Sequence, residues 1–346
     1  MKNFKFKFQF FGSRIVKTGI AVFLTSLICQ LLNWPAVFAV ITAIVTIEPT
    51  VADSIKKGII RFPASAIGSL YAVLFIFLFG NSPITYTLAA LFTIVTCFKL
   101  NLHEGLLVAT LTSVAMIEVI HTNFFISFFI RLGTTSIGLI ISTLVNMFVL
   151  PPNYSKTILS NIDNLLKTTG EELETLTKAI FLGENKKDSN EQIIKQTFSI
   201  LKKKLDKTEI LLNFQQAESK YHRFDEQTRK LYEMEKEKLQ SLRLIHYHIG
   251  NLINTPLHQL SWDETECEQL INTVSTLADT MKEPSLFNLE KHRLHVQRLM
   301  DQFWESKQQS AEHQQGERNF FSAEIIILYE ILSIYNLVES LLNKDT

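Results

Sequence analysis

Up to about residue 150 the chain alternates long apolar runs with short polar interruptions. The runs at 15–33, 34–47, 62–79, 85–98, 105–120 and 132–150 each read as a helix among lipids, since a hydrocarbon core of about 30 Å takes about 20 helical residues. The first two are divided only by Asn33-Trp34-Pro35, where proline suits the first turn of a new helix and tryptophan suits the interface. Pro151-Pro152 closes the last run, because proline cannot continue a helix and restricts the residue before it. Beyond Ser155 the pattern changes. Mostly apolar residues recur at steps of three and four through Ile194, Phe198, Leu201, Leu205, Thr208 and Leu212, through Leu242, Ile245, Ile249 and Leu252, and through Leu328, Ile331, Tyr335, Val338 and Leu342. This is the stripe of an amphipathic helix packed in a bundle. Breaks at 183–188, 255–262, 282–284 and 310–316 divide this half into five or six helices, with no strand signal.

The apolar half repeats itself. At an offset of 70, Ile47-Glu48 meets Ile117-Glu118, Ile60-Arg61 meets Ile130-Arg131, Ile67-Gly68 meets Ile137-Gly138, Thr42 meets Thr112 and Ser65 meets Thr135. Three runs fall in each copy, and an odd number of crossings turns the second copy upside down. The expected fold is therefore all-α: a six-helix transmembrane bundle (1–152) built as an inverted 3+3 repeat, followed by a cytoplasmic helical bundle (153–346). Inverted repeats of this kind are common in secondary transporters, with the substrate between the copies, beside short or interrupted helices. Runs two and five, which reach Glu48 and Glu118 early, fit that description.

Charge divides the same way. The 346 residues hold 34 basic and 34 acidic side chains, but before Pro152 only Glu48, Asp53, Glu104 and Glu118 are acidic. The basic N-terminus, the Lys56, Lys57, Arg61 link and Lys99 fall on alternate turns, which sets them, and both termini, on the cytoplasmic side. The basic segment before the first run is expected to precede a retained membrane helix, because no small-residue cleavage pattern closes that run. Cys29, Cys97 and Cys267 make neither a CxxC pair nor an even framework. The acid and base run from Asp225 to Lys238 has the i, i+3 and i, i+4 spacing of a solvated helix face.

Candidate chemistry is confined to the repeated polar positions. Glu48 and Glu118 can carry a proton or pair with an arginine; Arg61 and Arg131, which open runs three and six, can bind a carboxylate, a lipid phosphate or the repeat's own glutamate. Thr42 and Thr112 lie on the same short helices. Gly68 and Gly138 offer small faces for close helix packing, and Pro49 and Pro63 break or bend helices nearby. His292 and His295 share a helical face but lack a third ligand at metal spacing, so no metal or cofactor is expected. No phosphate-binding loop, dinucleotide fingerprint, HExxH or GxSxG occurs, which removes the usual signatures of an ATP-driven pump or a hydrolase, and no enzyme is expected.

The stretch from Trp34-Pro35 through Ile47-Glu48-Pro49-Thr50, then Asp53-Ser54, Lys57-Gly58 and Arg61 to Gly68, resembles the aromatic acid exporter family of the fusaric acid resistance-like superfamily. The helical C-terminal half is similar to the Gram-positive branch. The resemblance implies export of small aromatic carboxylic acids across the plasma membrane, driven by the proton gradient. A passive organic-anion channel and a membrane-anchored scaffold or sensor remain as alternatives. The partners implied are the aromatic acid and the lipid bilayer, with no nucleic acid, and a homo-oligomer is compatible with the pattern.

Overall fold

A computed structural model describes residues 12–119, 124–181, 187–221, 225–255, 262–313 and 322–343. Among them are twelve α-helices, one 3-10 turn and no strand. The chain divides into two compact units, residues 1–153 with 214–223 and residues 154–213 with 224–346. The short 214–223 segment therefore belongs with the apolar half, which the sequence-based boundary at 152 did not anticipate.

The first unit holds α1 (Ser13–Leu31), α2 (Ala36–Thr46), α3 (Val51–Phe79), α4 (Pro83–Lys99), α5 (His103–Val119) and α6 (Phe124–Phe148). Three of the six, α1, α3 and α6, are long and apolar enough to cross a membrane; α2 and α4 are shorter apolar helices. α3 begins eleven residues before the expected run, at a Thr50 cap that accepts the Asp53 N–H at 2.9 Å. Pro63 thus lies inside α3 rather than at its start, and there it removes one i to i−4 hydrogen bond. α6 likewise starts at Phe124, so Arg61 and Arg131 are interior to their helices rather than opening them.

Burial along these helices recurs. α1 buries Lys17, Ala21, Thr25 and Cys29, and α4 buries Thr85, Ala89, Thr93 and Cys97, each 68 residues on. From the second helix the spacing becomes 70, with Thr42 and Thr112, Arg61 and Arg131, Ser65 and Thr135, and Gly68 and Gly138 all buried. The links agree. Asn33 and Asn101 adopt φ of 55° and 57°, while Trp34 N–H donates to the Cys29 carbonyl and Leu102 N–H to that of Cys97, both at 2.9 Å. Each is a Schellman stop, with asparagine taking the left-handed position.

The interior of this unit is small and polar. Its outside carries Phe23, Leu31, Ile59, Phe77, Leu107 and Phe125, all more than 60% exposed. α3 packs against α4, α5 and α6, and α6 against α1, α2 and α3.

The second unit contains α7 (Ser155–Phe181), most of α8 (Lys187–Glu218), α9 (Glu226–Asn254), α10 (Glu264–Lys282), α11 (Leu289–His313) and α12 (Ala323–Leu342). Its core is aliphatic, drawn from Leu173, Leu201, Leu242, Ile245, Val274 and Ile331 among others. α12 is a fourth helix apolar enough to span, but 61% of its most apolar window is buried in protein, against 22–39% for the other three. Its stripe is the centre of a bundle.

Candidate functional site

α3 and α6 meet where equivalent residues touch. The Ser65 and Thr135 hydroxyls, 70 positions apart, are 3.2 Å from one another. A Cβ on Gly68 would stand 2.6 Å from the Ala109 carbonyl oxygen, and one on Gly138 would stand 2.5 Å from that of Ala39. Ala39 and Ala109 are themselves 70 apart, so the two contacts exchange partners between the halves. Thr42 and Thr112, one turn further on, donate to the Phe38 and Val108 carbonyls at 2.8 and 2.7 Å. Both threonines have used their proton within their own helix and keep only acceptor capacity.

Around Arg61 every nitrogen has an oxygen partner. Nη2 donates to Glu48 at 2.8 Å, Nε to the Glu104 carbonyl at 3.2 Å, and Nη1 to the Val45 carbonyl at 3.1 Å. Lys57 adds a second cation 3.3 Å from Glu48 and 3.5 Å from Glu104. Glu48 follows the end of α2, where the chain turns into α3, so this cluster ties that turn to the start of α5. Pro49 sits in the turn itself.

Arg131 is arranged differently, although its position in the repeat is the same. It is 1% exposed and is the largest fully buried side chain described. Nη1 donates to Thr135 Oγ1 at 2.5 Å, and the guanidinium carbon stands 4.7 Å from the centre of the Phe38 ring, a cation-π contact. Nε and Nη2 have no hydrogen-bond partner among the described residues. Glu118, the equivalent of Glu48, is bound instead by the Tyr86 hydroxyl and lies exposed near the end of α5. Of the partners open to the two arginines, the repeat's own glutamate is the one that meets Arg61, whereas Glu118 meets Tyr86.

A second polar cluster joins α1, α6 and the start of α3. Lys17 Nζ donates to Asn146 Oδ1 at 2.8 Å; Asn146 Nδ2 donates to the Glu48 and Thr50 carbonyls and to Ser54 Oγ at 3.1, 3.2 and 2.9 Å. The buried Glu218 carboxylate accepts the Val51 N–H at 2.5 Å, at the positive end of α3. Sequence reasoning passed over Lys17, Asn146, Tyr86, Phe38 and Glu218. An asparagine inside the last apolar run was a readable signal, since amides among lipids are expensive. Nothing in local spacing announces Glu218, 167 residues from its partner.

Apolar helices with lipid-like outer surfaces around buried arginines define an α-helical membrane protein. A profile described as "Aromatic acid exporter family member 1" matches residues 9–149. Over its whole length the chain is similar to proteins designated UPF0421: 47% identical over 331 residues to one from Oceanobacillus iheyensis (96% of this chain, 95% of that one), 44% over 339 to one from Bacillus cereus (97% and 94%), and 38% over 334 to one from Staphylococcus haemolyticus (96% and 97%). The chain belongs to the UPF0421 family, and its residues 9–149 match the aromatic acid exporter profile.

Proposed function

We propose that the protein exports small aromatic carboxylic acids across the plasma membrane, using the proton gradient. Its six N-terminal helices form two inverted triplets, and residues 153–346 with both termini are cytoplasmic. The observation that carries this reading is the exchange of partners between the halves: Gly68 of α3 approaches the Ala109 carbonyl of α5, Gly138 of α6 approaches the Ala39 carbonyl of α2, and Ser65 meets Thr135 between them. Partner exchange of this kind follows when two copies related by a two-fold axis pack on each other, and transporter sites lie on such axes. The matching burial at 68 and then 70 residues supports the same relation. Family membership supplies the cargo class.

In this reading α2, at 11 residues and about 16 Å, is too short to span alone. The short α2 brings the α2–α3 turn, with Glu48, into the protein, where water can follow.

Cells loaded with benzoate provide the test. A strain carrying the protein should clear the acid faster than a deletion strain, and a protonophore should abolish the difference. Equal clearance by both strains would remove aromatic export. Single cysteines at Ser82 and Asn101 test topology: an impermeant thiol reagent applied from outside should reach the first and spare the second. Cys29 and Cys97 are buried, and Cys267, which is half-buried, is replaced by serine in both variants.

A further inference from the structure

We infer that the Nε–Nη2 edge of Arg131 is the seat of the transported acid's carboxylate, and that its repeat mate Arg61 is a structural strut. This rests on the export reading and narrows it to one guanidinium edge and one ligand class: a small, planar monoanion with an apolar body.

The geometry leaves one direction of approach. Thr135 holds Nη1 and Phe38 covers a face of the guanidinium. The two nitrogens without partners, Nε and Nη2, share one edge of the plane, and their N–H bonds run parallel. That spacing is matched by the two oxygens of a carboxylate bound side-on. An arginine 1% exposed and paired with no carboxylate among the described residues carries an uncompensated charge, which is costly away from water.

Arg61 indicates what this edge accepts. There Nη2 takes the Glu48 carboxylate and Nε the Glu104 carbonyl, so the same two atoms are filled by oxygens from the chain itself. The equivalent glutamate in the second half, Glu118, is held by Tyr86. One half thus supplies its own carboxylate, and the other leaves the fork to a carboxylate from outside the chain.

Charge and surroundings fix the class. One guanidinium neutralises one negative charge, so a dianion would carry an unpaired charge into the interior. Phe38 continues into an apolar cluster with Ala72, Phe75, Met116 and Ile117, suited to an aromatic ring rather than a polar body.

Full-length protein in nanodiscs, titrated with radiolabelled benzoate, tests the assignment. Wild type should bind saturably, with benzoate displaced by other aromatic monocarboxylates and not by benzamide. Arg131→Lys keeps the charge but loses the fork, and should weaken binding by more than about tenfold; Phe38→Leu should weaken it less. Arg131→Met should melt higher than wild type without ligand and lose the benzoate-induced shift, whereas Arg61→Met should melt lower, because it takes one of two cations from Glu48 and the donors from the Val45 and Glu104 carbonyls. Wild-type affinity in well-folded Arg131→Lys and Arg131→Met would overturn the seat and leave the export reading standing. Arg131-dependent binding of acetate with no preference for benzoate would keep the seat and overturn aromatic export. No benzoate binding by wild type at millimolar concentration would overturn the seat for this ligand class.

Discussion

The two units of this chain solve the packing problem in opposite ways. The first places glycine, alanine, serine and threonine between its helices and turns phenylalanine and leucine outward; the second fills its centre with leucine, isoleucine and valine. Lipid is as apolar as a leucine side chain, so burying leucine gains little there, and close backbone approach with hydroxyls bonded to their own helix takes over. In water the aliphatic core supplies the driving force. Small residues at one interface and large ones at the other fit the lipid and water surroundings proposed for the two units.

The largest expected effect comes from reversing the first arrangement. Gly68→Leu and Gly138→Leu drive a side chain into a carbonyl that belongs to a packed helix, and each should cost about 3 kcal/mol or more. Loss of monodisperse protein after detergent extraction is the readout, and normal behaviour would mean the close approach is not needed. The converse change in the second unit removes bulk. Ile245, fully buried, should cost about 2–5 kcal/mol as Ile245→Ala, seen as faster hydrogen exchange in α9 with α1–α6 unaffected.

Two buried titratable groups give the second unit a pH signature. Burial pushes Glu172 up to about 7 from its ordinary 4.5, and neither of its oxygens has a hydrogen-bond partner among the described residues. The folded chain then holds more protons than the unfolded chain between those values, so stability falls as pH rises across that window, by about 3 kcal/mol in all. Burial, with Lys202 and Arg243 nearby, pulls His246 down to about 4 from 6.5. Here the unfolded chain holds more protons, and stability falls as pH drops through 6.5 towards 4. The effects oppose each other, so each is read by difference. Glu172→Met should gain on wild type as pH climbs from 4.5 to 7, and His246→Phe should gain as it falls from 6.5 to 4. Melting curves of the full-length variants that run parallel to wild type at every pH would remove both assignments.

The apolar runs, the offset of 70 and the Glu48–Arg61 pairing were legible because each depends on spacing within one stretch of chain. The offset of 68 in the first helix pair was also written plainly, as Cys29 to Trp34 against Cys97 to Leu102, but a fixed 70 conceals it. The two-residue change of register falls at the start of the fifth helix, which begins at His103, ahead of Leu106, the equivalent of Ala36 at an offset of 70. Where α3 begins was misjudged because Lys56, Lys57 and Arg61 interrupt hydropathy without interrupting a helix. The fate of Glu118 and the edge of Arg131 could not be read at all. They depend on which of two equivalent arrangements the folded chain adopts, and identical motifs cannot encode a difference between themselves.

The smallest effect is the most discriminating, because it separates close packing from flexibility as the reason for glycine. Gly58 and Gly68 lie in the same helix, α3, and both are buried. A Cβ on Gly58 would meet only the Leu139 side chain, at an ordinary 3.6 Å, whereas one on Gly68 would meet the Ala109 backbone at 2.6 Å. Alanine in a helix is favoured over glycine by about 0.5–1 kcal/mol. Gly58→Ala should therefore melt slightly above wild type, and Gly68→Ala below it, since the carbonyl it strikes cannot swing away as a side chain can. If instead both variants lost stability or transport equally, the glycines beside Pro63 would be serving as a hinge. The contrast between an interior built for close approach and one built from bulk would then have to be drawn again with motion included.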